Sequence, residues 1–408
     1  FFKQKTAYDI SLGLVGSEMC IRDRCMRMKK RRINSKSLVN SRRIVIKIGS
    51  SLIVGESSRR LRSRWLASLS RDISRLRKMG KEIVLVSSGA IALGRDFLSL
   101  SKKRLRLDEK QAAAAIGQSR LVNAYQSSLK KFKINIAQVL LTLEDTEKRR
   151  RYLNARETIE TLIRLSVVPL INENDTVATE EIRFGDNDRL AARVAQMIAA
   201  DTLVMLSDVE GLYTADPNKD KMARKIDKVY QITPKIYKMA KNTHSDFGSG
   251  GMITKIEAAK IALSAGCRMV ILFGNKLSPL ESIIRSKANE GSWFFPSSDP
   301  ISSHKKWIAG AINISGKVII DDGARKALEK GTSLLSVGVL NVRGNFNRGD
   351  VINIVSKSGK KLGRGISAFS SKDLNLIKGY KSHDIERILG YRGREEVIHR
   401  DYLTLRGQ

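Results

Sequence analysis

Cysteine, histidine and long apolar runs are all scarce in this 408-residue chain. The three cysteines, Cys20, Cys25 and Cys267, are too few for a disulfide framework. With the four scattered histidines, they form no spacing typical of a metal site. We therefore expect no protein-bound metal centre and a reducing, cytoplasmic environment. No apolar run approaches the ~20 residues that span a bilayer, so a soluble protein without a membrane partner is expected.

Positive charge is in large excess, with 75 Lys and Arg residues against 41 Asp and Glu, a formal net charge of +34. Such an excess can indicate nucleic-acid binding, attraction for anionic substrates, or a generally basic proteome. The basic residues are spread along the whole chain among acidic ones, without a basic stripe interleaved with aromatic residues. This distribution favours ordinary solvated lysine and arginine faces over a dedicated nucleic-acid surface.

The first forty residues lack helical or strand periodicity. Residues 1–24 resemble the conceptual translation of sequencing-adapter read-through, which would put the natural start near Met26 or Met28. A targeting presequence is the alternative, although an apolar h-region and a cleavage site are missing. We expect residues 1–40 to be a disordered or artefactual extension.

Short apolar strands alternate with longer amphipathic helices over residues 41–292. Strands are predicted at 43–48, 83–86, 136–141, 167–171, 202–206 and 269–273, and helices at 60–79, 108–132, 156–165, 190–200 and 256–265. This alternation predicts an α/β fold with a mainly parallel open sheet covered on both faces.

The pattern changes after about residue 292. Residues 293–310, with proline and several serines, predict a linker. Short β-like runs separated by Gly, Asn and Asp turns, with one short helix at 324–330, predict a small, mostly β, barrel-like domain at 311–392. A C-terminal tail is expected at 393–408.

Polar motifs directly follow four of the predicted strands. They are Gly49-Ser50, Ser87-Ser88-Gly89, Asn172-Glu173-Asn174-Asp175 and Ser207-Asp208. In parallel open sheets, ligands bind beyond the carboxyl ends of the strands. We therefore expect the four motifs to line one ligand site.

Two lysines beside glycine-rich backbone suit a polyphosphate. Lys47 ends a strand next to Gly49, and Lys255 follows the Gly248-Ser249-Gly250-Gly251 loop ahead of a predicted helix. Lysine supplies a mobile charge and the glycine backbone supplies N–H donors. Neither segment is a phosphate-binding P-loop. Asp188 could orient both lysines by ion pairing. Together these residues predict a small-molecule kinase, although either lysine alone could be an ordinary surface residue.

The polar clusters between the lysines suit a small amino acid acceptor. Ser88 and Gly89 form a turn that presents backbone N–H groups at a helix start, which suits an anion. Asp175, in the cluster that begins at Asn172, can bind an ammonium group, and Asn187 can bind a carboxylate. The alternative for these side chains is a role in Asx turns and helix caps.

These motifs resemble the amino acid kinase family, in particular its glutamate-phosphorylating members. The resemblance covers residues 42–400, and its elements stand in this order: Val45-Ile46-Lys47-Ile48-Gly49-Ser50, Ser87-Ser88-Gly89-Ala90, Gly117-Gln118-Ser119-Arg120, Leu153-Asn154-Ala155-Arg156, Ile171-Asn172-Glu173-Asn174-Asp175, Phe184-Gly185-Asp186-Asn187-Asp188, Gly211-Leu212-Tyr213-Thr214 and Gly250-Gly251-Met252-Ile253-Thr254-Lys255.

The resemblance implies an αβα sandwich and ATP-dependent phosphorylation of the γ-carboxylate of L-glutamate for proline synthesis, with Mg²⁺ arriving on the nucleotide. It implies that Lys47 and Lys255 contact the phosphates, that Asp188 organises them, and that Ser88, Asp175 and Asn187 hold glutamate. The residues that would hold ATP are Ser207, Asp208, Ser249, Gly250, Gly251, Met252 and Lys255.

Residues 311–390 resemble a PUA domain, an RNA-binding module of modification enzymes. The resemblance also suggests a homo-oligomer. Two alternatives stay open: a sibling kinase that acts on aspartate, acetylglutamate, carbamate or a nucleotide, and an RNA-binding protein whose kinase-like half is regulatory. We expect RNA binding to be weak and non-specific.

Overall fold

The computed structural model describes residues 36–55, 60–100, 105–177, 187–217, 219–241, 251–285, 290–299, 314–391 and 393–405. Within these residues, no helix is both long and apolar enough to cross a lipid bilayer.

An eight-stranded sheet forms the centre of the larger unit. Its strands are β1 (Arg43–Ile48), β2 (Glu82–Ser87), β3 (Ile136–Leu141), β4 (Val168–Glu173), β5 (Thr202–Ser207), β6 (Lys228–Val229), β7 (Arg268–Phe273) and β8 (Ser292–Phe294). They lie in the order β3-β4-β2-β1-β5-β7-β8-β6, and every pairing is parallel except β7 with β8. The predicted mainly parallel sheet is confirmed.

Helices cover both faces of this sheet. They are α1 (Ser50–Ile53), α2 (Ser63–Lys78), α3 (Ala90–Phe97), α4 (Leu107–Lys130), α5 (Leu143–Glu147), α6 (Arg149–Arg164), α7 (Asn187–Met197), α8 (Pro234–Lys241), α9 (Met252–Ser264) and α10 (Glu281–Ile284). One apolar core joins the sheet to α2 and α4, and a second joins its other face to α6, α7 and α9. The architecture is therefore an αβα sandwich.

The alternation of side chains along β1 decides where Lys47 points. Ile44, Ile46 and Ile48 belong to the core beneath α2 and α4, whereas Val45 belongs to the core beneath α7 and α9. Because successive strand residues face opposite sides, Lys47 shares the α7 and α9 side with Val45.

Helices α3 and α4 touch backbone to backbone at two glycines. A Cβ atom added to Gly94 would lie 1.7 Å from the carbonyl oxygen of Ala113, and one added to Gly117 would lie 1.7 Å from that of Ala90. Any larger side chain would push the helices apart. This contact fixes the start of α3, which follows the Ser88-Gly89 turn.

A separate five-stranded sheet forms the core of the C-terminal unit, in the order β11-β9-β12-β13-β15, beside a two-stranded sheet β10-β14. The strands are β9 (Gly316–Ile320), β10 (Leu334–Leu335), β11 (Val339–Gly344), β12 (Val351–Ser356), β13 (Lys361–Ile366), β14 (Glu396–Ile398) and β15 (Leu403–Leu405), and the helices are α11 (Asp322–Glu329), α12 (Ser371–Ile377) and α13 (Ile385–Leu389). A small, strand-rich unit was predicted, but helices α12 and α13 were missed.

Three predicted boundaries are wrong. Leu38, assigned to the N-terminal extension, is fully buried in the core of the larger unit. The predicted linker 293–310 begins too early, because Trp293 and Phe294 belong to β8 and are buried. The predicted tail 393–408 contains β14 and β15, which pair with β10 and β13. Residues 1–35 lie outside the described residues.

Candidate active site

Both lysines singled out from the sequence meet on one buried carboxylate. Lys47 forms an ion pair with Oδ1 of Asp188, and the Nζ atom of Lys255 lies 3.1 Å from Oδ2 of the same residue. Asp188 has no exposed surface, and Lys255 is 5% exposed. Residues far apart in the sequence thus bring two ammonium groups to the carboxyl end of the central strand β1.

The protonation state of Asp188 follows from its neighbours. Burial alone would raise the pKa of its carboxyl group, but the charges of Lys47 and Lys255 and their hydrogen bonds outweigh burial and lower that pKa to about 2. Asp188 therefore stays ionised at neutral pH and holds the two ammonium groups in place.

Two helix starts deliver Asp188 and Lys255. The structure begins α7 and α9 earlier than predicted, so Asp188 lies in the first turn of α7 and Lys255 in the first turn of α9, not ahead of the helix. An acidic side chain is favourable at a helix N-terminus, whereas a lysine there is unfavourable. The ion pair with Asp188 offsets this cost for Lys255.

Thr254 is a site residue that the sequence reasoning missed. Its hydroxyl lies 3.1 Å from Oδ2 of Asp188 and 2.8 Å from the carbonyl oxygen of Gly251. A threonine in the first turn after a glycine loop was the available signal. Thr254 ties the carboxylate to the start of α9.

A chain of buried amides lies on the acceptor side. The Nδ2 atom of Asn187 donates to Oγ of Ser88 at 2.7 Å and to Oδ1 of Asn172 at 2.9 Å. Asn172 in turn donates from Nδ2 to Oε1 of Gln118 at 2.7 Å. Gln118 is a second missed residue, and its signal was a polar side chain on the buried face of α4.

These hydrogen bonds between amide side chains change the role that we expected for Asn187. We expected its amide to bind a carboxylate, which requires free N–H groups. Its Nδ2 donors are already engaged within the protein, while its buried Oδ1 atom has no hydrogen-bond partner among the described residues. The open position on Asn187 is therefore an acceptor, which suits a ligand N–H group such as an ammonium.

The turn at Gly89 offers backbone donors. Gly89 has a φ of 108°, a left-handed conformation that glycine adopts without strain, and it precedes α3 with no side-chain cap. The first N–H groups of α3 are thus open to an anion.

Asp175 follows β4 and is partly buried. Burial raises the pKa of its carboxyl group to about 6. A nearby cation would lower that pKa again, so Asp175 is suited to bind an ammonium group. The chain then enters residues 178–186, including Gly185 and Asp186, which lie outside the described residues.

The residues predicted to bind the nucleotide lie at the carboxyl end of β5 and at the start of α9. The buried Ser207 donates from Oγ to Oδ1 of the exposed Asp208 at 2.9 Å. Gly251 caps α9 without a side-chain bond, and a Cβ atom added to it would meet nothing within 4 Å. Met252 begins the helix. Ser249 and Gly250 lie outside the described residues.

The carboxyl edge of the sheet therefore gathers the predicted acceptor residues and the predicted nucleotide residues. The described site residues lie at the ends of β1, β2, β4 and β5 and at the starts of α3, α7 and α9, with Gln118 within α4. The lysine pair lies between the amide chain and the nucleotide residues, because β1 lies between β2 and β5. Within the described part of the chain, no group of three or more His, Cys, Asp or Glu side chains could hold a metal ion.

Comparison with known proteins identifies two domain families in the chain. The family model described as amino acid kinase family matches residues 42–272, and the PUA domain model matches residues 316–389. The chain is 53% identical to a glutamate 5-kinase from Paramagnetospirillum magneticum over 91% of this chain and 99% of that protein. It is 51% identical to a glutamate 5-kinase from Ruegeria sp. over 90% of this chain and 100% of that protein.

Among solved structures, carbamate kinase from Giardia lamblia bound to AMP-PNP aligns with 64% of this chain and 100% of that chain, at 16% identity and a TM-score of 0.45. The full-length relatives and the two family models lead to the same assignment. The chain belongs to the amino acid kinase family, within its glutamate 5-kinase group, and carries a C-terminal PUA domain.

Proposed function

We propose that this protein transfers the γ-phosphoryl group of ATP to the γ-carboxylate of L-glutamate, the first step of proline synthesis. The observation that carries the proposal is the pair of ammonium groups held on the buried Asp188. Full-length relatives named glutamate 5-kinase support the choice of acceptor.

The reaction needs charge neutralisation and positioning more than covalent help from the protein. A γ-carboxylate oxygen forms a bond to the γ-phosphorus as the bond to the β,γ-bridging oxygen breaks, and ADP leaves. Lys47 and Lys255 neutralise the charge on the transferring group and on the leaving phosphate. Asp188 fixes both ammonium groups before reaction, which lowers the reorganisation needed.

Glutamate is placed by the amide side of the site. The α-ammonium group is bound by Asp175 and the open Oδ1 atom of Asn187, and the first N–H groups of α3, with Ser88, bind a carboxylate. Asn172 holds Asn187 in position. ATP lies against Ser207, Asp208 and the start of α9, with Mg²⁺ bound to its phosphates as part of the substrate.

Acyl phosphate trapping tests the proposal. Purified protein with glutamate, ATP and Mg²⁺ should form an acyl phosphate that hydroxylamine converts to a hydroxamate. Aspartate, acetylglutamate and carbamate serve as competing acceptors. Folded protein that yields hydroxamate with another acceptor but not with glutamate would overturn the substrate assignment.

The homo-oligomer and the weak RNA binding remain predictions. Salt-dependent RNA affinity that disappears with the C-terminal unit would support an RNA contact. We also propose that the kinase unit ends after Phe295 and that the C-terminal unit extends to β15.

A further inference from the structure

A cluster of arginines, separate from the lysine pair of the active site, lies where α6 meets the C-terminal unit. A partly open pocket at this junction is lined by Arg156, Glu157, Arg348, Arg394, His399 and Tyr402, among others. The phosphoryl-transfer reaction uses none of these side chains.

Arg156 forms the inner wall of this pocket. It is 7% exposed, and its Cζ atom lies 4.2 Å from the centroid of the Tyr402 ring. Its Nε atom is buried without a hydrogen-bond partner, and among the described residues no carboxylate forms an ion pair with it. A buried guanidinium group is costly unless an anion or acceptor compensates it. Arg156 thus lines the pocket with a guanidinium group that has an unsatisfied donor at Nε.

The other charges of the pocket do not supply that anion. Glu157 forms an ion pair with Arg348, and its Oε1 atom lies 3.0 Å from Nη2 of Arg394, so it is already shared by two guanidinium groups. Burial raises the pKa of the Tyr402 hydroxyl to about 12, so the ring remains uncharged. Three guanidinium groups face one carboxylate, which leaves two uncompensated positive charges.

The backbone of Gly349 lies against the Leu153 side chain beside the pocket. A Cβ atom added to Gly349, whose φ is 97°, would lie 2.2 Å from Cδ1 of Leu153 on α6. The C-terminal unit therefore packs directly on α6, and the pocket is lined by arginines from both units.

We propose that this pocket binds a phosphate group, held by Arg156 with Arg394 and Arg348 at the rim. A dianionic phosphate matches the excess of two positive charges, and planar guanidinium groups bind phosphate oxygens in bidentate geometry. The ligand would join α6 to the C-terminal unit.

Calorimetric titration of the full-length protein with inorganic phosphate, at constant ionic strength, tests this site. Arg156→Met removes the charge but keeps an apolar chain against Tyr402, and it should weaken phosphate binding roughly tenfold or more. Arg164→Met, an exposed arginine on the same helix, is the matched control and should bind as the wild type does. Lys255→Met disables the phosphate end of the active site and should leave this binding intact.

Circular dichroism checks that each variant is folded. If Arg156→Met does not fold, Arg394→Met at the rim of the pocket replaces it as the test variant. Its affinity for phosphate should be weaker than that of the wild type. Wild-type affinity in folded Arg156→Met or Arg394→Met, or loss of all phosphate binding in Lys255→Met, would overturn the proposal. Acetate binding as tightly as phosphate would also overturn the assignment to phosphate.

Discussion

At the residue scale, the free-energy balance at Asp188 explains why the two lysines can be buried together. Each ammonium group loses hydration, and the two would repel each other without the carboxylate between them. Because the pKa of Asp188 is lowered to about 2, its stabilising contribution is complete above about pH 4 and is lost only as the pH falls toward 2. The lysine pair is therefore insensitive to Asp188 titration at physiological pH.

Replacing Lys47 should stop the chemistry without unfolding the protein. Lys47→Met removes one of the two cations at the transferring phosphoryl group, and turnover should fall by about 10²–10³. Lys255 remains to pair with Asp188, so the fold is expected to persist. The hydroxamate assay measures turnover, and Lys78→Met, at an exposed position on α2, is the control. Near-normal turnover in Lys47→Met would remove this lysine from catalysis.

Asp175 should make glutamate binding pH-dependent. Its carboxyl group has a pKa of about 6, so it is increasingly protonated below that pH and loses its attraction for an ammonium group. The KM for glutamate should therefore rise as the pH falls through about 6. Asp175→Asn should have a high KM at every pH, without this step.

Without substrate, the effect of pH on folding stability should be opposite to its effect on glutamate binding: Asp175 favours folding at low pH and favours binding at high pH. A carboxyl pKa that is higher in the folded state favours folding most below the unfolded value near 4, and this contribution is lost as the pH rises through about 6. Asp72, whose pKa burial also raises to about 6, adds to the same trend. Glutamate KM, rather than melting temperature, therefore identifies Asp175. A KM that is flat from pH 5 to 8 would contradict the assignment.

At the element scale, the contact between α3 and α4 is what positions the acceptor side. The same two helices carry the Ser88-Gly89 turn at one end and Gln118 in the middle, so a change in their separation moves both. Sequence patterns predicted α4 but not this glycine-mediated contact.

A methyl group at Gly117 should disturb both stability and glutamate binding. Gly117→Ala places a Cβ atom 1.7 Å from the carbonyl oxygen of Ala90, so the helices must separate. We expect a loss of about 1–3 kcal/mol in the free energy of unfolding and a higher KM for glutamate. Ala115→Ser, on the exposed side of α4, is the control. The free energy of unfolding is measured with denaturant. A wild-type value for Gly117→Ala would show that α3 and α4 can move apart without cost.

At the scale of the whole molecule, the segment before β1 is hydrogen-bonded to Arg268 at the start of β7. Arg268 donates from Nη2 to the carbonyl oxygen of Ser37 at 2.8 Å and to Oγ of Ser41 at 2.7 Å. Leu38, between them, is fully buried. Residues 37–41 thus belong to the kinase unit.

Leu38→Ala should destabilise the protein by about 2–5 kcal/mol, because a fully buried leucine leaves a cavity when it is truncated. Its neighbour Val39 is 45% exposed, so Val39→Ala should change stability by less than about 0.5 kcal/mol. Thermal or denaturant unfolding of the two variants makes the comparison. Equal stability of the two would place Leu38 outside the core.

Local pattern determined much of this protein. Apolar runs and amphipathic periods predicted the central strands and the five longest helices of the larger unit, because period and burial are properties of neighbouring residues. The polar motifs after the strands predicted the carboxyl edge of the sheet, since parallel strands bring their ends together. Ser88, Asp175, Ser207 and Asp208 were selected as candidates in this way.

Only the tertiary structure established which of these residues touch, including the pairing of Asp188 with both lysines that the sequence left as a possibility. The ion pair between Asp188 and Lys255 joins residues 67 positions apart, and the bond from Asn172 to Gln118 spans 54. Such contacts depend on strand order and helix packing, which local sequence patterns do not contain. For the same reason, the burial of Leu38, the pairing of β8 and the arginine pocket beside α6 emerged only from the folded chain.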